Sequence, residues 1–284
     1  MRQVLMHVRI VFPVTGLVVL AACGGGDGGP APGGGVSRVP VSLTISPPTD
    51  FLKLRASEAL TAVATMTGGT TETVTATWSS DNAGVASVDA SGRVTGSGSG
   101  QAGISAAYSG LTALRSLRVV PDYQGRWSGE HTVPNCIDDG DWLKADFCKD
   151  ILEQNPQFAL DLVLTQNRDT TTGTLDIGIE PPGALQGSIQ LNGDLGLSGT
   201  YTGTAEGLPV EVTVVDWQTR TTDNQRMTGR FRVTFRAPGL AGSVTADFEL
   251  RAFSKTGTAV SSGGSERGSR RSLFSSIRKV LLSR

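Results

Sequence analysis

From Phe158 to Leu250, apolar side chains recur on every second residue, in runs too short for most helices and too regular for loops. The runs are Phe158–Leu164, Leu175–Ile179, Leu185–Leu191, Leu195–Tyr201, Leu208–Val214, Met227–Phe235 and Val244–Leu250. A period of two turns one face of each run to a core and the other to water. With a further run around Trp127, this predicts eight one-sided strands. No helix-length crossover separates them, so neighbours should pair antiparallel, up and down, through turns such as Asn192-Gly193-Asp194 and Gly203–Gly207. Closing the sheet into a barrel is one way to remove its two edges. Between the first two strands lies a single expected helix, Asp141–Leu152, where Leu143, Phe147 and Ile151, with Cys148 and Leu152 beside them, make one apolar stripe.

A second alternating region precedes this one. Val41, Leu43 and Ile45, then Leu60–Met66, then Val74–Trp78, then Ile104, Ala106, Leu117 and Val119 read as strands of a small antiparallel sandwich over residues 39–121. Four blocks carry a family signal: Trp78-Ser79-Ser80-Asp81-Asn82; Val85-Ala86-Ser87-Val88-Asp89; Ser91-Gly92-Arg93-Val94-Thr95-Gly96; and Gly100–Ala106. In that order they resemble the bacterial Ig-like domain, group 2. The extra Ala83-Gly84 departs from the pattern in a loop. The resemblance implies an Ig-like sandwich used in bacterial surface proteins as a spacer or in adhesion. Trp78 is expected on a central strand between the sheets, with Gly92 and Gly96 in turns.

The fold class expected is thus all-β: an Ig-like β-sandwich, then an antiparallel up-and-down β-barrel-like domain over 122–255 with one short helix. Gly125-Arg126-Trp127 on the first barrel strand and Arg251 on the last weakly resemble lipocalin and avidin-type barrels, where a Gly-x-Trp packs against a final-strand Arg. Arg251, however, is out of phase with Val244, Ala246, Phe248 and Leu250, and should face outward unless a bulge intervenes.

The N-terminus is an address. Arg2, His7 and Arg9 precede an apolar Ile10–Leu20, as in a signal peptide over 1–22. Leu20-Ala21-Ala22-Cys23 resembles the lipobox of bacterial lipoproteins, which implies cleavage before Cys23, lipidation of that residue and a membrane partner through the lipid. Gly24 is not the Asp that favours inner-membrane retention, which points to the outer membrane of the cell envelope. Residues 23–38, rich in Gly and Pro, read as a tether.

With Cys23 committed to lipid, Cys136 and Cys148 remain as a pair expected to be bridged in an oxidising compartment. The rival is a metal site with His131, the one histidine left after cleavage, but two Cys and one His make a poor zinc set. Asp138, Asp139 and Asp141 read as a helix cap; an EF-hand would need other spacing and a distal Glu.

Removing Arg2 and Arg9 leaves 25 − 2 = 23 cations against 26 anions. That balance excludes nucleic acid as the main partner. In the tail, 256–284, Arg267, Arg270, Arg271, Arg278, Lys279 and Arg284 oppose Glu266, and Leu273, Phe274, Ile277, Val280 and Leu281 can share one helical face.

Catalytic patterns are thin. No Gly-x-Ser-x-Gly accompanies His131, and no phosphate-cradling loop precedes a helix. Carboxylates at Asp161, Asp176, Asp194, Asp216 and Asp247 lie on or near strands. The expectation is a non-enzymatic envelope lipoprotein, without cofactor, whose barrel binds an envelope protein, a glycan or a small ligand. A carrier of an apolar ligand is the first alternative and a carboxylate hydrolase the second.

Overall fold

The computed structural model describes residues 38–154, 160–205 and 207–256. Its first part consists of β1 (Pro40–Ser46), β2 (Phe51–Lys53), β3 (Ser57–Ala59), β4 (Thr61–Met66), β5 (Thr71–Val74), β6 (Thr77–Ser80), β7 (Ala86–Val88), β8 (Arg93–Gly96), β9 (Gly100–Tyr108) and β10 (Leu111–Val120). They pair in sheets ordered β1-β4-β5, β2-β10-β9-β6 and β3-β8-β7 around a core that includes Ile45, Leu60, Ala62, Val94, Ile104, Ala106, Leu117 and Val119.

Two expectations change here. The run Val74–Trp78 is two strands in different sheets, and β6 lies at an edge, so Trp78 is half-buried and rests against Gly92. Gly92 sits at φ +84, where a Cβ would meet that ring and the Leu60 carbonyl. Gly96 does not serve a positive-φ turn; its Cβ would lie 2.9 Å from the Lys53 carbonyl and from Val119, so close packing requires it.

The second part contains β11 (Gly125–Asp138), α1 (Gly140–Lys144), α2 (Phe147–Gln154), β12 (Asp161–Asn167), β13 (Thr170–Asp176), β14 (Gly183–Ile189), β15 (Leu195–Ala205), β16 (Leu208–Arg220), β17 (Arg226–Arg236) and β18 (Val244–Thr256). The eight strands form a closed antiparallel barrel in chain order, β18 returning to β11. Inward positions are filled. Trp217 stacks on Phe231 at 4.2 Å and Phe231 on Phe248 at 4.9 Å, with His131 5.9 Å beyond. Around this row of rings lie buried Leu162, Leu175, Leu185, Leu197, Val212 and Val233.

Both ends are covered. At one, Tyr123 is fully buried and its hydroxyl donates to the carbonyls of Gly193 (2.8 Å) and Thr219 (3.3 Å) while accepting from the Thr221 amide (3.2 Å). At the other, the expected single helix is two. Asp146 adopts φ +53 and breaks the run, a conformation a short acidic side chain tolerates. The break shifts the stripe: Trp142, Phe147, Cys148 and Ile151 face the core, whereas Leu143 and Leu152 are exposed. Cys136 and Cys148 are joined by a disulfide, Cα–Cα 5.3 Å, which ties α2 to β11.

Sandwich and barrel belong to one compact unit. Asp122, between them, receives Lys53 at 2.8 Å from the sandwich and Lys255 at 3.3 Å from the barrel. Asn224 accepts from the Asp122 amide and donates to the Leu54 carbonyl, each at 3.0 Å. Arg168 reaches across to Asp50 through two bonds of 3.0 and 2.9 Å and lies over the Phe51 ring. Arg118 donates to the Ile189 carbonyl at 2.7 Å.

Candidate functional site: a groove on the barrel wall

Strict alternation would make the outer wall of a barrel a plain pleated surface. Here four neighbouring ladders slip, and three of them border one stretch of the wall. Register shifts occur between Val215 and Gln218 on β16, between Met227 and Gly229 where β17 meets β18, and between Thr132 and Asn135 on β11. Each bulge re-aims side chains and bends its strand. On β16 the inward phase passes from Val210, Val212 and Val214 to Trp217 and Thr219, which leaves Asp216 outside at φ +53. Gly229 is required at its bulge, because a Cβ there would collide with the Gln218 carbonyl.

Where the slips converge, the outer wall opens into a groove of about 1020 Å³. It is lined by Pro134, Asp216, Gln218, Thr228, Gly229, Phe231, Phe248 and Leu250 with Arg230, Arg232, Asp247, Glu249 and Arg251. The last five stand on two adjacent strands. Arg232 is the centre: its Nη1 meets Asp216 at 3.1 Å and its Nε meets Asp247 at 2.8 Å, while Asn135 donates to the other Asp247 oxygen at 3.0 Å. Arg251 pairs with Glu249 at 3.2 Å. The hydrogen bond from Arg232 holds the Asp247 carboxyl below the usual carboxylate range, outweighing partial burial. A smaller hollow of about 370 Å³, lined by Asn135, Ile137, Asp138, Asp139, Ser243 and Thr245, shares Arg232 with it.

Of the five carboxylates named from sequence, the structure brings Asp216 and Asp247 together, through Arg232. Asp161 pairs with Arg126 and Asp194 with Arg220, while Asp176 accepts from the Gly178 amide. A glycosidase acid needs a raised pKa, and Asp247 is pushed the opposite way.

His131 points into the barrel, where burial lowers its pKa and keeps the ring neutral. Among the described residues no three His, Cys, Asp or Glu side chains are grouped to hold a metal ion. The aspartates ahead of the helices divide their work. Asp139 is the N-cap residue of α1 but makes no side-chain cap bond and instead receives the Ser243 amide; Asp141 is buried and receives the Ala241 amide; Asp138 accepts from the Cys148 amide at 2.8 Å and so caps α2.

The Gly-x-Trp position has a cation partner that sequence reasoning missed. Arg251 is exposed, but a slip at Leu250–Phe253 turns Phe253 inward and carries Lys255 over the Trp127 ring, 5.2 Å from its centre. The bulge was the one signal that could have found it, and no single residue marks a bulge. Cys23, the tether up to residue 37 and the basic tail from residue 257 lie outside the described residues. No helix among the described residues is long and apolar enough to cross a membrane.

The four sequence blocks and the three-sheet sandwich lead to one comparison. Residues 41–109 match the bacterial Ig-like domain (group 2). The Ig-like domain therefore accounts for β1–β9, and the chain is an all-β protein in which a closed barrel follows it. No curated protein matches the sequence. Among solved structures, domains 4–9 of the surface layer protein SbsC are similar at 13% identity and TM-score 0.28, over 74% of this chain and 31% of that one. Domains 5–6 of the same S-layer protein are similar at 14% identity and TM-score 0.27, over 74% and 97%. This chain thus spans about a third of the longer structure.

Proposed function

We propose that the protein is a non-enzymatic envelope lipoprotein: lipid on Cys23 anchors it, the Ig-like domain acts as a spacer, and the barrel is a binding head whose outer wall, not its interior, meets the partner. The observation that carries this reading is the contrast between inside and outside. Stacked, buried rings occupy the space a carrier would leave for its ligand, whereas the slipped strands open a polar groove to solvent. The Ig-like match at 41–109 and the lipobox-like Leu20–Cys23 support an envelope setting. Two acyl chains or more give stable anchoring where one gives marginal binding.

The test has two parts. Cys23→Ser should move the protein from the detergent phase to the aqueous phase on partitioning; continued detergent partitioning would sink the anchor. The soluble Cys23→Ser protein, incubated with isolated envelopes, should be retained, and Arg230→Glu on the wall should release it. Retention unaffected by that change would remove the groove from the function.

A further inference from the structure

We propose, resting on the wall groove as the binding face, that its ligand is a neutral, hydroxyl-rich chain: an oligosaccharide segment gripped by donor and acceptor groups fixed on neighbouring strands. The balance of charge points there first. Arg230, Arg232 and Arg251 stand against Asp216, Asp247 and Glu249, three cations to three anions, so the lining has no net sign. A polyanion would meet the carboxylates and a polycation the guanidinium groups, and like charges set against each other in an interface are costly.

Hydrogen-bonding capacity points the same way. Arg232, held at 3.1 and 2.8 Å by Asp216 and Asp247, keeps further N–H donors free of those two contacts, and each carboxylate keeps acceptor lone pairs. A sugar hydroxyl donates and accepts at once. Two adjacent hydroxyls can bridge a carboxylate oxygen and a guanidinium N–H of the same ion pair, which a hydrocarbon or a simple anion cannot do. Arg230, whose charge also acts on Asp247, lines the same groove and adds donors. Because ion pairs and the Asn135 bond already fix these side chains, ordering them costs little on binding.

An extended peptide fits less well. β16, β17 and β18 are hydrogen-bonded on both sides in a closed barrel, so no free edge exists for an added strand. Of the apolar side chains in the lining, Phe231, Phe248 and Leu250 are buried and Pro134 is exposed. The volume, about 1020 Å³, reaches the top of the roughly 300–1,000 Å³ range of small-ligand sites, and the hollow beyond Arg232 extends it. A chain of several sugar rings suits a groove of that volume.

The soluble Cys23→Ser protein, otherwise full length, would be titrated with neutral oligosaccharides (cello-, malto-, laminari- and chito-oligomers), with polygalacturonate as the polyanion, and with a mixed-charge peptide. At least one neutral oligomer should bind, with an affinity changing less than about twofold between roughly 0.05 and 0.5 M salt. Arg230→Ala and Asp247→Asn should each weaken it by about tenfold, the loss of one charge-assisted bond. Gln186→Ala, on the opposite strand β14, should leave it unchanged, and thermal melts would show all three variants folded. Binding of polygalacturonate or the peptide alone, abolished by the wall variants, would overturn the neutral ligand while keeping the groove. No binding of any neutral oligomer at millimolar concentration would overturn it too. Neutral binding indifferent to both wall variants would overturn ligand and groove together.

Discussion

At the scale of single residues, Tyr123 does more than its hydrophobicity requires. The ring fills one mouth of the barrel, and its hydroxyl gathers Gly193 from the β14–β15 turn and Thr219 and Thr221 from the end of β16. Its main-chain carbonyl also accepts from Trp127 Nε1 at 2.7 Å. Burial pushes the phenol well above its usual range, so it stays a neutral donor. Tyr123→Phe would keep the packing and leave buried main-chain groups short of a partner, which costs about 1–3 kcal/mol. Urea unfolding should show a lower midpoint with an unchanged slope; an unchanged midpoint would mean that water replaces the hydroxyl.

At the scale of elements, alternation carried the barrel. Each of the eight runs falls at least partly on one strand, although β13 ends at Asp176, ahead of buried Ile177 and Ile179, and Leu191 beyond β14 is exposed; a sheet with one buried face cannot slip by a residue without exposing its whole apolar set. The same argument fails where the slip is local. The phase of Val210, Val212 and Val214 carried onward would put Asp216 inside and Trp217 outside, and one bulge reverses them, while Lys255 replaces Arg251 beside Trp127 across another. Since the groove consists of such exceptions, only Asp216, Asp247 and Arg251 among its charges stood out in the sequence, and neither the central Arg232 nor the assembly did. The helix was read as continuous for a similar reason: Asp146 in a left-handed conformation has no sequence mark comparable to glycine.

The two short helices depend on the bridge between Cys136 and Cys148, twelve residues apart. Closing a loop of that size contributes about 3 kcal/mol in the chain-entropy account. Reduction should therefore lower the melting of the barrel and leave the cysteine-free Ig-like domain untouched. Calorimetry with and without reductant separates the two, and equal shifts in both would contradict a local role.

At the scale of the molecule, Asp122 links sandwich to barrel. Burial alone would raise its pKa, but the hydrogen bond from Lys53 and the charges of Lys255 and Lys53 outweigh it, and the net direction is downward. A carboxyl lowered on folding stabilises the protein above its unfolded pKa, near 3.9, and that contribution is lost as pH falls through the folded value. Both ammonium partners keep some solvent contact, so Asp122→Asn should cost only about 1–2 kcal/mol at neutral pH. The variant should also lose part of the acid sensitivity seen in wild type below about pH 4. Small-angle scattering should show a longer, looser particle; an identical profile would assign the joint to Asn224 and Arg168 instead.

The seam between β11 and β18 has a consequence in time. Arg126 pairs with Thr256, so the first barrel strand waits for the last before its free edge is closed. Until Val244–Thr256 pairs with them, β11 and β17 each present an unpaired row of amide and carbonyl groups, the surface on which chains aggregate. Such distant pairing also folds slowly. A chain cut short anywhere upstream of β18 thus yields no smaller head, only one with two open edges, so the last strand decides whether the barrel exists at all.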